Sequence, residues 1–258
     1  MLFVINKEKL SAYTVSIAMV VILFVMVGIV MPTDNTIETA SNIQKQLPIY
    51  NVLTEEKKVA FTMNCAWNAD DIDKILETLN ENNVKITFFL VGEWIDKYPE
   101  AVEKIVKSGN EIGAHSNTHP HVTNLSYEEN IEEIENCNNK IEKITGKRTN
   151  LYRLPYGEYN DTVIIAAKDK GYYTIQWNID TLDYNSLTGE EMWKRVAGRL
   201  SKGSIILSHN GTKHTADSLD MLLKNIKSEG YEIVPISNLI YRDNYSINSN
   251  GTQIKTNE

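Results

Sequence analysis

Residues Ala101–His121 read AVEKIVKSGNEIGAHSNTHPH, and this stretch contains one complete copy of the unit from which the chain is built. A helix-period segment ends at Lys107–Gly109, an apolar run follows at Glu111–His115, and polar side chains come directly after it. Glycine adopts the left-handed conformation that ends a helix, and a lysine in the last turn complements the helix dipole. The stretch therefore predicts a helix, a glycine cap and then a strand.

The same unit recurs along the chain. The apolar runs that predict strands are Val59–Met63, Ile86–Leu90, Glu111–His115, Leu151–Leu154, Tyr173–Trp177, Ile205–Ser208 and Glu232–Ile236. The helix-period segments lie near residues 70–82, 95–108, 126–145, 160–170, 189–202 and 215–229. Strands that alternate with helices predict an α/β fold with a parallel sheet and helices outside it. Seven strands can close into a barrel or stay open and doubly wound.

Polar residues follow the points where five of the predicted strands end. These residues are Asn64, His115, His119, Arg153, Tyr156, Asp180, Asp183 and His209. In both kinds of α/β fold, ligands gather at the carboxyl ends of the strands. An ordinary structural domain carries turn residues of any kind there. The concentration of His, Arg, Asp and Asn therefore predicts one shared functional site.

The segment HSNTHPH contains two histidines, His115 and His119, at a spacing that suits a metal ion. Residues four apart face the same way on a helical turn, and histidine pairs suit Zn²⁺ and, less exclusively, other first-row divalent metals. Such a site needs a third ligand, normally a carboxylate, with one position open for water or substrate. His121 lies past Pro120 and is the least suitable ligand of the three histidines.

The other strand-end residues suit proton transfer and charge stabilisation. Arg153 can orient a carboxylate through two hydrogen bonds, and the turn at Tyr156 could direct a backbone N–H at an oxyanion. His209 can act as a general acid, and Asp180 and Asp183 can hold a histidine or an arginine in place. Each residue also has an ordinary structural interpretation, such as a surface arginine, a capping aspartate or a core histidine.

The motifs HSNTHP, RLPYG, DTLDY and LSH, in this order and spacing, resemble four of the five motifs of the polysaccharide deacetylases. This is the NodB-homology group, carbohydrate esterase family 4, and the resemblance covers about residues 57–241. The flanking phrases ITFFLVGEW and GNEIGAHSNTHPH resemble its PdaB-like sporulation type. The resemblance implies a distorted (β/α)7 barrel that binds a divalent metal, usually zinc. It also implies removal of N-acetyl groups from peptidoglycan or a chitin-like polymer.

The resemblance also implies a role for each matching position. His115 and His119 would bind the metal, and Arg153 would hold the base. His209 would be the general acid, Asp180 would adjust the properties of His209, and Asp183 would support that hydrogen-bond network. The Tyr156 backbone N–H would stabilise the oxyanion, and Leu207 would line the acetyl pocket. The match to the PdaB-like type extends to Ala66-Trp67-Asn68, which places Trp67 among the residues that contact substrate.

The chain departs from the family in the first motif, which is Thr-Phe-Asp-Asp-Gly in the family and TMNCA at Thr62–Ala66 here. Asn64 occupies the position of the base and cannot accept a proton at neutral pH. Cys65 occupies the position of the third metal ligand, where it could bind zinc as a thiolate or simply pack in the core. Asp70 or Asp71 could supply the missing carboxylate, or could instead begin the next helix.

Two functional hypotheses follow. The first is an active, metal-dependent polysaccharide deacetylase in which another group replaces the base. The second is a catalytically impaired pseudoenzyme that binds glycan at the cell wall. A purely structural extracellular domain would leave Arg153 and His209 unexplained.

The N-terminal region predicts a membrane anchor. Residues 12–31 carry no charge across a length that spans a bilayer, and Lys7 and Lys9 precede them, which orients the N-terminus towards the cytoplasm. A cleaved signal peptide is the alternative, although Gly28–Pro32 is a poor cleavage site. The predicted organisation is a cytoplasmic N-terminus (1–11), a transmembrane helix (12–31) and a linker (32–56). An extracellular catalytic domain (57–241) and a disordered tail (242–258) follow.

Composition limits the partners. The net charge of −8 argues against a nucleic-acid partner, because phosphate binding needs a basic face. The two cysteines, Cys65 and Cys137, lack the spacing of a metal site. The expected partners are a polysaccharide and, through the N-terminal helix, a membrane; the sequence indicates no protein partner.

Overall fold

A computed structural model describes residues 17–23 and 46–256 of the chain. Residues 17–23 form the described part of helix α1, and their apolar side chains are exposed. Within the two described ranges, no helix has the length and apolar character needed to cross a membrane. Most of the predicted transmembrane segment 12–31 lies outside the described residues, as do residues 1–11 and 32–45.

The main sheet is parallel and has β2 at its centre. Its strands are β2 (Lys58–Cys65), β3 (Thr87–Leu90), β4 (Glu111–Ala114), β5 (Leu151–Tyr152), β6 (Tyr173–Thr174), β7 (Ile179–Asp180), β8 (Ile205–His209) and β9 (Glu232–Ile233). The order is β6-β5-β4-β3-β2-β8-β7, and β9 pairs with the start of β2. Neighbouring strands follow chain order from β2 to β6, and again from β7 through β8 back to β2. The strands therefore form a ring that is open between β6 and β7. This is the order of a distorted (β/α)7 barrel, so the α/β barrel prediction is confirmed.

Helices connect the strands along the outside of this half-barrel. They are α2 (Ile72–Glu81), α3 (Gly92–Lys97), α4 (Pro99–Lys107), α5 (Tyr127–Thr145), α6 (Asp161–Asp169), α7 (Gly189–Ala197) and α8 (Thr215–Ser228). Ser126 and Glu129 form a capping box at the start of α5, and Gly146 ends it with a φ of 71°. The single helix predicted over 95–108 is two helices, because Pro99 begins a new one.

Alternation along β2 decides which side chains reach the barrel interior. Phe61, Met63 and Cys65 belong to the core between the sheet and its helices, whereas Ala60 belongs to the separate core inside the barrel. Successive side chains of a strand point to opposite faces. Asn64 therefore faces the interior, and its neighbour Cys65 is fully buried on the helix side.

The domain is longer at both ends than the sequence predicts. A second sheet, in the order β1-β11-β10, joins β1 (Asn51–Val52) to β10 (Tyr245–Ile247) and β11 (Thr252–Lys255). The predicted linker up to residue 56 and the predicted disordered tail from 242 are therefore wrong over 46–56 and 242–256. These segments are polar, but their polar groups pair locally. Gln253, for example, is fully buried and exchanges hydrogen bonds of 2.9 and 2.7 Å with the Tyr241 backbone.

Candidate functional site

A cavity of about 490 Å³ lies at the carboxyl ends of the strands. It is lined by Asn64, Ala66, Trp67, Val91, Glu93, Trp94, His115, Thr118, His119, Tyr156, Trp177, Asp180, Tyr184, Leu207 and His209. The structure thus brings most of the sequence-predicted site residues to one place. Arg153 and Asp183 are buried against lining residues rather than lining the cavity themselves.

Asn64, Arg153 and His115 form a closed ring of hydrogen bonds beneath the cavity. Arg153 Nη1 donates to Asn64 Oδ1 at 3.0 Å, and Asn64 Nδ2 lies 3.1 Å from His115 Nε2. His115 Nδ1 donates to the Arg153 carbonyl at 2.8 Å, so its proton is on Nδ1 and Nε2 accepts from the amide. A guanidinium can only donate, which fixes the orientation of the amide.

His115 is held neutral in this ring. It is almost completely buried, and burial, with the neighbouring His119, lowers the pKa of His115 well below its ordinary value. Its Nε2 lone pair is engaged by Asn64 rather than directed at an open position.

Arg153 is a fully buried cation without an acidic partner. No carboxylate within residues 46–256 forms an ion pair with it. Its guanidinium lies 4.0 Å from the Phe89 ring centroid and donates to the Gln176 carbonyl at 3.3 Å, and its Nε has no partner. Burial lowers the pKa of Arg153 to about 9. The ring therefore contains a positive charge that only neutral groups contact directly, while the charge of Asp180 acts on it without an ion pair and partly offsets the lowering of its pKa.

His119 lies beside His115, but not on a helical turn. Ser116 and His119 adopt left-handed φ angles of 64° and 57°, and the Ser116 hydroxyl accepts the His119 N–H at 3.0 Å. This loop brings the two imidazole rings edge to face, with their centroids 4.9 Å apart. The predicted helical turn is therefore wrong, although the two histidines do meet.

The residues present do not fit a three-ligand metal site. The Cys65 thiol faces the helix-side core, and burial raises its pKa well above the ordinary value. Asp71 accepts hydrogen bonds from Asn210 Nδ2 at 3.1 Å and the Gly211 N–H at 2.7 Å, and the exposed Asp70 does not line the cavity. The described part of the chain contains no group of three or more His, Cys, Asp or Glu side chains that could hold a metal ion.

Asp183, not Asp180, is the partner of His209. Asp183 Oδ1 lies 2.8 Å from His209 Nδ1, and Oδ2 accepts the His209 N–H at 2.6 Å and the Thr215 hydroxyl at 2.7 Å. Asp180 instead accepts from the Leu182 N–H at 2.8 Å and the Tyr184 hydroxyl at 3.2 Å. The pairing leaves Nε2 as the His209 nitrogen that Asp183 does not engage.

Aromatic side chains form much of the cavity wall. Trp67 and Tyr184 lie 5.3 and 5.4 Å from the His209 ring, and Tyr156, with a left-handed φ of 55°, lies 4.5 Å from His119. Tyr184 and Trp177 also line the cavity, although neither is among the site residues predicted from the sequence. The aromatic residues that flank the two acids of QWNIDTLDY, one before Asp180 and one after Asp183, are the signal that could have identified both.

Comparisons with known proteins identify the family and several relatives of this chain. The family described as "Polysaccharide deacetylase" matches residues 51–175. The chain is 34% identical to "Uncharacterized protein YlxY" of Bacillus subtilis, covering 75% of this chain and 60% of that protein. It is 31% identical to "Peptidoglycan-N-acetylmuramic acid deacetylase PdaC" of the same organism, covering 80% and 46%. The chain thus spans less than two thirds of the length of both relatives.

One similar solved structure comes from a pseudoenzyme of this family. It is a mutant of BA3943 from Bacillus anthracis, described as "a CE4 family pseudoenzyme with restored enzymatic activity". The TM-score is 0.72 at 33% identity, covering 76% of this chain and 71% of that one.

Proposed function

The chain belongs to the polysaccharide deacetylase family, and from that premise we propose that its cavity binds an N-acetylated cell-wall glycan without hydrolysing it. The observation that carries the proposal is the hydrogen-bonded ring of Asn64, Arg153 and His115. In this ring an amide stands where the family has a carboxylate base, and its N–H engages the imidazole lone pair that a metal would need.

Hydrolysis lacks its proton acceptor. Attack of water on an amide carbonyl requires a group that takes up the proton of the water, and a neutral amide has no basic site at pH 7. Since the residues present do not fit a three-ligand metal site, we assign no step to a bound metal. The site keeps His209, which can donate a proton, but lacks a residue that accepts one at the base position.

Binding of an acetamido group remains possible on the same residues. A primary amide carries two N–H donors, and His115 engages one Asn64 donor. The other can donate to the carbonyl oxygen of an N-acetyl group, which a carboxylate could not do. Leu207, Val91 and Trp177 supply apolar wall for the methyl group. Asn64 thus favours recognition of the group that a base would help to cleave.

We further propose that the glycan is peptidoglycan and that the domain lies outside the cell on a membrane anchor. Peptidoglycan is supported by a relative named as a peptidoglycan deacetylase. The uncharged segment 12–31, preceded by Lys7 and Lys9, supports a single membrane-spanning anchor with the domain outside the cell. The resemblance of the flanking phrases to the PdaB-like type supports a role in sporulation.

A metal-dependent hydrolase, with zinc as the expected ion, is the second candidate. The observation that favours it is the His209–Asp183 pair, which keeps a general acid oriented at the cavity. Such an enzyme would need a proton acceptor other than Asn64.

The two candidates differ in acetate release. The purified full chain is incubated with N-acetylglucosamine oligomers and with peptidoglycan, and both binding and free acetate are measured. Saturable binding without acetate, and weaker binding of the de-N-acetylated oligomers, is the expected result. Acetate release that His209→Ala abolishes would establish the hydrolase instead. Absence of binding to every acetylated glycan would contradict the proposal.

A further inference from the structure

His119 reaches the cavity from a loop whose backbone needs support from outside. The loop begins at His115, directly after β4, and two of its residues, Ser116 and His119, have left-handed φ angles. Residues other than glycine seldom adopt this conformation, and they keep it only where the surrounding structure holds them. The position of the His119 ring in the cavity therefore depends on the groups that hold residues 116–118.

Glu133, on helix α5, holds the N–H groups of this loop. Its Oε2 accepts the Asn117 N–H and the Thr118 N–H, both at 2.8 Å, and its Oε1 accepts the Thr118 hydroxyl at 3.0 Å. Hydrogen bonds to a carboxylate are stronger than those between neutral groups. Within residues 46–256 no cationic side chain forms an ion pair with Glu133. Both of its oxygens are therefore committed to the loop.

Helix α3 holds the carbonyl groups of the same loop. The Gly92 N–H donates to the Ser116 carbonyl and the Glu93 N–H donates to the Asn117 carbonyl, both at 2.9 Å. A Cβ atom at Gly92 would lie 2.3 Å from Asn117 Oδ1 and 2.9 Å from Asn117 Cα, so this approach requires glycine. The contacts from α3 are thus made by backbone, whereas those from α5 are made by the Glu133 side chain, which a substitution can remove.

The part of α5 that carries Glu133 is itself firmly attached. Asn130 is fully buried, and its Nδ2 lies 2.9–3.3 Å from three carbonyl oxygens between residues 122 and 126. Asn130 and Glu133 are three residues apart, which places them on the same face of the helix. Glu133 therefore holds the loop from a fixed position and does not move with it.

We propose that Glu133 is a positioning residue of the cavity, which fixes His119 although it does not line the cavity itself. The His119 ring packs against His115 at 4.9 Å and against Tyr156 at 4.5 Å, so its position also settles this part of the cavity wall. A wall that is already ordered spares a ligand the entropic cost of ordering it. The placement of His119 by Glu133 is independent of the proposed function, and only its effect on glycan affinity rests on that function.

NMR spectra of the full chain with ¹³C-labelled histidine test the placement directly, because the chain has five histidines. His119→Asn assigns the His119 signal, since asparagine tolerates a left-handed backbone. In Glu133→Ala the His119 signal should narrow and move towards its position in the unfolded chain, while the His209 signal stays within a line width of wild type. Glu133→Gln should restore the wild-type spectrum, because the glutamine carbonyl can accept both N–H groups and its amide can donate to the Thr118 hydroxyl.

Two further variants complete the test. Glu132→Ala removes the neighbouring exposed carboxylate and should leave every histidine signal unchanged. Thr118→Val removes only the hydroxyl bond, so it should shift the His119 signal in the same direction as Glu133→Ala and by less. If Glu133→Ala does not fold, Thr118→Val decides the question, and an unshifted His119 signal in it would overturn the proposal.

Binding is the second readout. Affinity for N-acetylglucosamine oligomers should fall roughly tenfold in Glu133→Ala, because the ligand must then order the loop, and should stay within about twofold of wild type in Glu133→Gln. A wild-type His119 signal in folded Glu133→Ala would show that ring packing alone places His119. Equal displacement of the His119 and His209 signals would show a general loss of structure, and would also overturn the proposal. If the wild-type chain binds no acetylated glycan, the proposed function fails, and the histidine spectra still decide the role of Glu133.

Discussion

Arg153 Nη1 lies 3.0 Å from Asn64 Oδ1, so a fully buried guanidinium meets a neutral amide at the base position of the family's first motif. A buried cation is costly unless an anion offsets it. The same contact orients the amide so that its N–H group faces His115 Nε2. The Arg153–Asn64 contact therefore places a non-basic amide at the base position. It also directs the amide N–H at His115 Nε2, the nitrogen that a metal would need.

Asn64→Asp should stabilise the fold, because the gain from pairing the carboxylate with Arg153 should exceed the loss of the amide N–H bond to His115 Nε2. The expected gain in the free energy of unfolding is about 1–3 kcal/mol at pH 7, from a charge-assisted contact to a cation that is now unpaired. Urea denaturation measures it. Asn210→Asp is the matched control, since Asn210 is also buried but donates to Asp71, and two carboxylates there should destabilise the protein. A less stable Asn64→Asp protein would contradict the assignment of Arg153 as an unpaired cation.

Zinc affinity should rise in the same Asn64→Asp variant. A carboxylate 3.1 Å from His115 Nε2, with His119 beside it, offers three ligands at a spacing compatible with bonds of about 2.0 Å to one ion. Titration of the full chain with zinc should show an increase of at least about tenfold, and His119→Ala in the variant should remove it. Equally tight zinc binding by the wild type would show that Asn64 does not obstruct the site.

Asp183→Asn should be much more damaging than Asp180→Asn. Asp183 is buried and accepts from His209, Thr215 and the Tyr184 N–H, so its loss should cost about 1–3 kcal/mol of unfolding free energy. Among the residues described, the Asp180 carboxylate accepts only from groups of its own loop, and the Arg195 guanidinium bonds its backbone carbonyl, which asparagine keeps. Its replacement should therefore cost less than about 0.5 kcal/mol. Equal losses in the two variants would show that the His209–Asp183 pair contributes nothing particular.

Neither cysteine should react in the folded protein. Burial raises the pKa of the Cys137 thiol to about 12 and that of Cys65 well above its ordinary value, so neither supplies thiolate at pH 8. A thiol reagent should label both in urea and neither in buffer. Since unfolded thiols ionise above about pH 8.5 and the folded ones do not, these cysteines should also make stability fall as pH rises past that value. Rapid native labelling of Cys65 would contradict its place in the helix-side core.

Much of the fold was predictable because helix period, glycine caps and apolar runs all point to the same alternation. Strands β1, β10 and β11 were missed, since local pairing of polar groups, as at Gln253, leaves no apolar pattern. Strand β7 was also missed, because it is only two residues long. The side to which Cys65 points was implicit in strand alternation, because Asn64 and Cys65 are adjacent.

The contacts within the site were not predictable to the same degree. The resemblance implied a contact between Arg153 and the base position, and the structure has that hydrogen bond to Asn64. The pairing of His209 with Asp183 rather than Asp180 depends instead on distances between residues remote in sequence. The loop that joins His115 to His119 depends on left-handed residues that are not glycine, which no spacing rule indicates.

The most direct test of the account is the fate of a bound glycan. The full chain is incubated to equilibrium with an excess of N-acetylglucosamine tetrasaccharide. The protein-bound sugar is then recovered, and its mass is measured by mass spectrometry. The account predicts a bound tetrasaccharide that retains all of its acetyl groups, and no acetate above the level of protein-free buffer. Recovery of a partly deacetylated tetrasaccharide, formed by the wild type and not by His209→Ala, would contradict it.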